Sequence, residues 1–266
     1  MCLLVVLSRV VPGFPLIVGA NRDERLDRPA VPMDVLRASS PRTMGGRDGL
    51  AGGTWLAVNE HGVVAGLTNR PNPDGRDATK RSRGELPLAL TRYTDVATAV
   101  AAFIAEHDPR EYNAAWLLVG DRRSLVAIDM TDGPHPVATP LPPGIHVLEN
   151  RAYGAPSVKV DRVRGLLEDV DHLPASEVTA RLWQVLSDHQ VPPDPPDEVA
   201  DPERPPQIKA ACVHTDVEYG TRWSAVVAVP DDLATLPSFT YTDGPPCTSP
   251  RVEVNWPSRA TMRPAP

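Results

Sequence analysis

"MCLLVVLSRVVPGFPLIVGANRDE", residues 1–24, decides how the chain begins to fold. Residues 2–7 and 16–18 are aliphatic and β-branched runs, and the breaker "VPGFP" at 11–15 separates them. This is a strand, turn, strand pattern. With Pro12-Gly13 at the centre of the turn, paired residues have numbers summing to 25, so Cys2 stands opposite Asp23. Directly opposed residues of an antiparallel pair project from one face with their Cβ atoms close together. The turn therefore predicts a carboxylate beside residue 2. A secretory leader fits the stretch poorly, because nothing basic precedes the apolar run, Arg9 interrupts it, and Pro12-Gly13 and Pro15 break it.

Cysteine is small enough to permit removal of the initiator Met, and residue 2 then carries a thiol and a free α-amine together. Their reference pKa values are about 8.5 and about 8. The neutral amine can take the thiol proton, so one residue supplies nucleophile and base, and a neighbouring carboxylate such as Asp23 would fix the amine. The plainer alternative is that Cys2 is a small core residue and Asp23 caps a loop.

The 266 residues suffice for a substantial core, and 41% hydrophobic with 23% charged residues describes a globular chain. The net charge of −7 argues against nucleic-acid or anionic-membrane partners. With no run of 18 apolar residues, no membrane span is expected. Three widely spaced cysteines, Cys2, Cys212 and Cys247, form no disulfide framework and suit a reducing cytoplasm. Cysteines and histidines are scattered along the chain, so no metal site is expected.

"GGTWLAVNEHGVVAGLTN" (52–69) reads as two strands turning around Glu60-His61-Gly62, with His61 solvated. Residues 84–107 read as helical, with Asp95 capping "VATAVAAFIAEH". "AAWLLVGDRRSLVAIDM" (114–130) is a hairpin turning at Gly120-Asp121, and "IHVLEN" (145–150) is a strand. "SEVTARLWQVLSDH" (176–189) has the spacing of an amphipathic helix with Ser176 as cap. The Pro- and acid-rich segment 190–206 reads as a surface loop. "IKAACVHTD" (208–216) and "RWSAVVAVP" (222–230) read as strands, with Cys212 in the core. The Pro-rich tail 243–266, which contains Cys247, is expected to be partly disordered.

Met1-Cys2, "ANRDE" (20–24), "GGTWLAV" (52–58), "AGLTN" (65–69), "SRGEL" (82–86) and "YGTR" (219–222) occur together and in order. With them the chain resembles the NRDE family, related to the transport-and-Golgi-organisation proteins of eukaryotes, from residue 2 to about 230. The resemblance implies an α+β fold with an N-terminal-nucleophile-like, four-layer αββα sandwich of two antiparallel sheets, and a single domain over 1–266. More distantly the chain is similar to cysteine hydrolases that cleave bile-salt and penicillin amides. Those begin Met-Cys and end their second strand on an Arg/Asn/Asp cluster, which Asn21 and Asp23 match. Their arginine precedes the Asn, where this chain has Ala20. Arg22 lies one step out of phase and would face the opposite side of an unbulged strand.

The same similarity implies an oxyanion-hole amide at the end of "AGLTN", from Asn69 or with Thr68 beside it, although Asn69 equally starts the turn "NRPNPDG". Asn150 is the preferred oxyanion candidate, with a loop-capping role as the alternative. It ends a strand that precedes "APSVKVDRVRGLLEDV" (155–170), and this layout matches the family's strand-end pair and following helix, with Glu149 in place of a small residue. Trp55 is either a pocket wall or a core plug. Arg222 of "YGTR" binds a substrate carboxylate, supports the Cys2 site, or makes a surface ion pair.

Two functions are expected from these readings. One is a cysteine amidohydrolase or acyltransferase acting on a small-molecule amide or thioester through an acyl-Cys2 intermediate, without a cofactor. The other follows from relatives linked to haem trafficking and lipid homeostasis: a non-catalytic haem or lipid-cofactor carrier. An inactive scaffold that keeps the fold is the third possibility.

Overall fold

The computed structural model describes residues 2–71, 75–194 and 205–257. The chain runs β1 (Cys2–Val11), β2 (Phe14–Arg25), β3 (Ala30–Arg37), β4 (Thr43–Asp48), β5 (Leu56–Asn59), β6 (Val64–Asn69), α1 (Glu85–Leu90), α2 (Val96–Glu106), β7 (Ala115–Gly120), β8 (Leu125–Met130), β9 (Val137–Leu141), β10 (Gly144–Leu148), α3 (Val158–Gly165), α4 (Ala175–Leu186), β11 (Tyr219–Val229), β12 (Ser238–Asp243) and β13 (Arg251–Val254). One sheet has six strands in the order β10-β1-β2-β11-β12-β13, and the other has seven in the order β3-β4-β5-β6-β7-β8-β9.

The unbroken apolar run of β1 follows from its place between two layers. Leu4 and Val6 point inward and pack with Val18 and Ala20 against Leu56, Val58 and Leu118 of the facing sheet. Leu3, Val5 and Leu7 point outward and are covered by Val160 and Val163 of α3 and Leu182 and Trp183 of α4. On the far side, Leu67, Leu117 and Val119 pack against Leu86, Val96 and Phe103 of α1 and α2. These three apolar layers make the four-layer αββα sandwich that the resemblance implied.

The hairpins at 52–69 and 114–130 form as expected, and Asp95 accepts the Thr98 N–H at 2.8 Å as the cap of α2. Ser176 does not cap α4; Pro174 precedes the helix without a side-chain cap bond. The segment after Asp243 is not merely a tail: Arg251–Val254 pairs with β12 as the sheet's edge strand. Residues 258–266, and 195–204 of the Pro-rich segment, lie outside the described residues.

The first hairpin departs from its predicted register. Val11 pairs with Phe14 across the expected turn, but beyond a bulge between Ser8 and Val11 the numbers sum to 24, and Cys2 faces Arg22. Arg9 adopts φ +57° there, and its guanidinium donates to the carbonyls of Arg123 and Leu141. Pro15 lies opposite this bulge. It has no N–H to give the ladder, and strands accommodate such a residue by inserting one unpaired position.

A buried ion pair ties the β3–β4 loop to the β5–β6 turn. Glu60 accepts from Arg42 Nε at 2.7 Å, from the Arg42 main-chain N–H at 2.9 Å and from Ser40 Oγ at 3.0 Å. Desolvation works against the carboxylate, yet these donors outweigh it and hold Glu60 down at about 2. A depressed carboxylate stabilises the fold above its unfolded pKa of about 4.3, and this contribution is lost as pH falls through the folded value. Glu60→Gln is expected to cost roughly 3 kcal/mol at pH 7, with the difference from wild type falling to about half by pH 3. Urea unfolding at both pH values measures it.

Candidate active site

Cys2 ends β1 at the rim of the sandwich, and its alternation with Leu4 and Val6 places it on the inner face with Arg22 opposite. The residue is 7% exposed and lines a cavity of about 280 Å³. Arg22, Glu24, Asp48, Trp55 and Arg83 complete much of the wall.

The Cys2 main-chain nitrogen donates to Asn150 Oδ1 at 2.6 Å, and Asn150 Nδ2 donates to the Asn69 carbonyl. Both partners fix the amide's orientation, since a main-chain N–H needs an acceptor and a carbonyl needs a donor. Asn150 thus meets Cys2 as expected but serves it differently: it anchors the nitrogen, and its own donor is already engaged. Asn69 lines the cavity. Thr68 does not, because its hydroxyl is turned to the Glu149 carbonyl at 2.9 Å.

Asp23 and Asn21 lie on the alternate positions of β2. Asn21 donates to the carbonyls of Leu186 and Ala211 and accepts from Ser224, which makes it a brace between β2 and α4, and it does not line the cavity. Asp23 is 2% exposed, lines the cavity and accepts from Thr221 Oγ1 at 2.6 Å. Burial pushes its pKa up, while the charge of Lys159 pulls it down. Lys159 was passed over in the sequence as one residue of "SVKV". It is 2% exposed, and its Nζ has no hydrogen-bond partner among the described residues. A lysine between two valines at a helix start was the available signal.

Burial also raises the Cys2 thiol, and the nearby Asp23 charge adds to this, whereas Arg22 and the Asp23 main-chain N–H favour the thiolate. Proximity of Cys2 and Asp23 therefore survives the change of register, through the strand end and not through cross-strand opposition.

Arg22 does not face away as its phase implied. One register step brings it inward, where its guanidinium stacks 4.4 Å from the Trp55 ring centroid and donates to Asp48 at 3.0 Å. Arg28 grips the same carboxylate through two donors, at 2.7 and 3.0 Å. Arg22 Nη1 is buried and has no hydrogen-bond partner among the described residues. Trp55 is both wall and plug, packed edge-on to Trp223 with centroids 5.2 Å apart. Arg222 is the unpaired residue of a bulge between Thr221 and Trp223 and does not line the cavity.

Two glycine contacts close the wall. A Cβ on Gly46 would stand 2.2 Å from Trp55 Cζ2, and one on Gly53 would stand 2.6 Å from the Gly84 backbone. Gly53 and Gly84 thereby bring "GGTWL" and "SRGEL" into main-chain contact, with Thr54 N–H donating to Gly84 O at 3.0 Å.

The expectation of scattered cysteines and histidines fails in space. His189, Cys212, His214 and Cys247 converge away from this cavity, with their ligand atoms all within 4.8 Å of one another. Only the spacing Cys212-Val213-His214 was visible in the sequence.

The profile of the family described as Transport and Golgi organisation 2 matches residues 1–235. The Transport and Golgi organization protein 2 homolog of Bos taurus is 34% identical over 239 residues, covering 83% of this chain and 84% of its own. The Homo sapiens homolog is 31% identical over 237 residues with the same coverage. Among solved structures, a Caenorhabditis elegans N-acylethanolamine-hydrolyzing acid amidase ortholog superposes with a TM-score of 0.60 at 13% identity, over 96% of this chain and 100% of its own. A variant of conjugated bile acid hydrolase from Clostridium perfringens gives 0.59 at 10%, over 95% and 92%. At such identities these two share the fold, that of the N-terminal-nucleophile hydrolases.

Proposed function

The chain belongs to the Transport and Golgi organisation 2 family, and from the geometry of its site we propose that it is a cysteine amidohydrolase or acyltransferase whose nucleophile is Cys2. The observation that carries this reading is the Cys2 nitrogen held by Asn150 Oδ1 at 2.6 Å, at the wall of a cavity that also exposes the thiol's surroundings to a ligand.

Removal of Met1 frees that nitrogen as an α-amine. In its neutral form the amine takes the Sγ proton as sulfur attacks the substrate's carbonyl carbon, and the carbonyl π-pair moves to oxygen. The Asn69 side-chain amide, in the cavity wall, is the proposed donor to this oxyanion, worth on the order of 3 kcal/mol. Collapse breaks the C–N bond, the ammonium returns its proton to the leaving nitrogen, and the acyl group remains on Cys2. Water, or an acceptor amine, then attacks the thioester with the amine again as base, and the thiol is restored. Asp23, which accepts from Thr221 Oγ1, is the carboxyl that would orient the amine; burial pushes its pKa up and the charge of Lys159 opposes that rise.

Five arginines (Arg22, Arg28, Arg76, Arg81 and Arg83) share the cavity wall with three carboxylates (Asp23, Glu24 and Asp48). Arg81 is held by Glu85 and Glu111, so the unpartnered Arg22 Nη1 is the feature that favours an acyl amide carrying an anionic group.

Intact mass spectrometry before and after iodoacetamide, with peptide mapping, tests the reading. The expected result is a chain lacking Met1 and alkylation at Cys2 that accelerates as pH rises, because only the thiolate reacts and burial has raised the thiol's pKa. A retained Met1 would remove the base and overturn the mechanism. A Cys2-dependent Soret band on haem addition, without acyl-enzyme formation from any amide, would favour a carrier instead.

A further inference from the structure

Three segments distant in sequence meet beside the last turn of α4. His189 follows that helix, Cys212 and His214 precede β11, and Cys247 lies in the turn between β12 and β13. The spacing of their ligand atoms is specific. Cys212 Sγ is 3.9 Å from Cys247 Sγ and 3.6 Å from His214 Nε2, and Cys247 Sγ is 3.4 Å from His214 Nε2. A tetrahedral zinc ion with Zn–S near 2.3 Å and Zn–N near 2.0–2.1 Å has S···S edges of about 3.8 Å and S···N edges of about 3.5–3.6 Å. The three edges match this tetrahedron.

His189 stands against His214 with ring centroids 4.6 Å apart, and its Nδ1 lies 3.3 Å from the Cys212 carbonyl. A donor bond from Nδ1 to a carbonyl fixes the ring and leaves Nε2 as the ligand atom, the usual outer support of a metal-binding histidine. We propose that His189, Cys212, His214 and Cys247 form a closed Cys2His2 site for a zinc ion. Two thiolates with two imidazoles in tetrahedral array select zinc over the hard cations. Four protein ligands leave no open position, so the ion is structural. Its binding converts two thiols to thiolates and releases their two protons to solvent.

The ion would clamp more than a surface turn. Cys247 lies beyond residue 235, where the family match ends, so one ligand comes from a segment the family profile does not describe. Val213, between two of the ligands, donates its N–H to Thr221 Oγ1 at 2.8 Å and accepts from Thr221 N–H at 2.8 Å, and Thr221 is the hydroxyl that holds Asp23. The clamp and the cavity therefore share one hydrogen-bonded link.

The test is cobalt titration of the reduced, chelator-stripped full chain without a histidine tag, followed by displacement with zinc. One equivalent of cobalt is expected to give the intense visible bands of tetrahedral coordination and a thiolate-to-cobalt charge-transfer band, and zinc is expected to abolish both. His214→Ala and Cys247→Ser, both at surface positions, should weaken binding at least about tenfold, and Cys2→Ser should leave the spectrum unchanged. Zinc should raise the melting temperature of the wild type and not that of Cys247→Ser. The proposal is overturned by an octahedral spectrum, by a tetrahedral spectrum that survives Cys247→Ser or disappears in Cys2→Ser, or by a Cys212–Cys247 disulfide in protein isolated anaerobically.

Discussion

Alanine at position 2 is expected to lower amide turnover by at least about 10³-fold while the fold stays intact. The Cys2 side chain contributes one sulfur at the rim of the sandwich, and the layers on either side of β1 are built by Leu3, Leu4, Val5 and Val6. Deleting the sulfur therefore removes little packing but the whole of the proposed nucleophile. Turnover of an anionic acyl amide, measured beside a thermal melt, separates the two effects. Cys2→Ser sharpens the test: serine also permits Met1 removal and keeps the amine, so its deficit reports the nucleophile alone. Undiminished turnover in Cys2→Ala would reassign the chemistry.

Asn150→Leu is expected to damage both stability and rate. It strips the Cys2 nitrogen of its acceptor and the Asn69 carbonyl of its donor in one step. An unsatisfied buried polar group costs about 1–3 kcal/mol, so the two together amount to roughly 2–6 kcal/mol in denaturant unfolding. With the nitrogen no longer aimed at the thiol, turnover should fall by about 10²-fold. Asn150→Asp separates positioning from charge. Its carboxylate still accepts from the nitrogen but stabilises the ammonium form, which raises the amine's pKa. The neutral base then appears only at higher pH, and the acidic limb of the kcat/KM profile should move upward. An unmoved profile would remove Asn150 from contact with the reacting amine.

The layers of this fold were legible because β1 is apolar at every position from Leu3 to Leu7, which demands cover on both faces. The register was less legible. The turn at Pro12-Gly13 is where it was expected, yet a bulge at Arg9 shifted everything beyond it by one residue and exchanged the faces assigned to Arg22 and Asp23. Pro15 carried the warning, as a residue without an N–H inside a central strand. Asn150 was found at its strand end, but its direction depends on two main-chain partners, Cys2 and Asn69, from remote parts of the chain. Residues 25–51 gave no reading, although they form β3 and β4: Gly45 and Gly46 interrupt the alternation that would mark a strand, and Gly46 is there to admit Trp55. The four-residue cluster was invisible for a simpler reason. Its members are brought together by the return of β11 to the centre of the sheet and by the β12 turn, long-range geometry of which the sequence shows only the Cys212-Val213-His214 spacing.

The place of β1 in the middle of its sheet sets a schedule. Its neighbours are β2, made at once, and β10, made some 140 residues later, and β11 closes the far side of β2 near residue 219. Long-range pairings of this kind form late. The outer edge of β1 therefore stays unpaired until β10 has been made, through more than half of synthesis. Once the sheet is complete, Cys2 stands at the cavity wall with β1 held between β2 and β10.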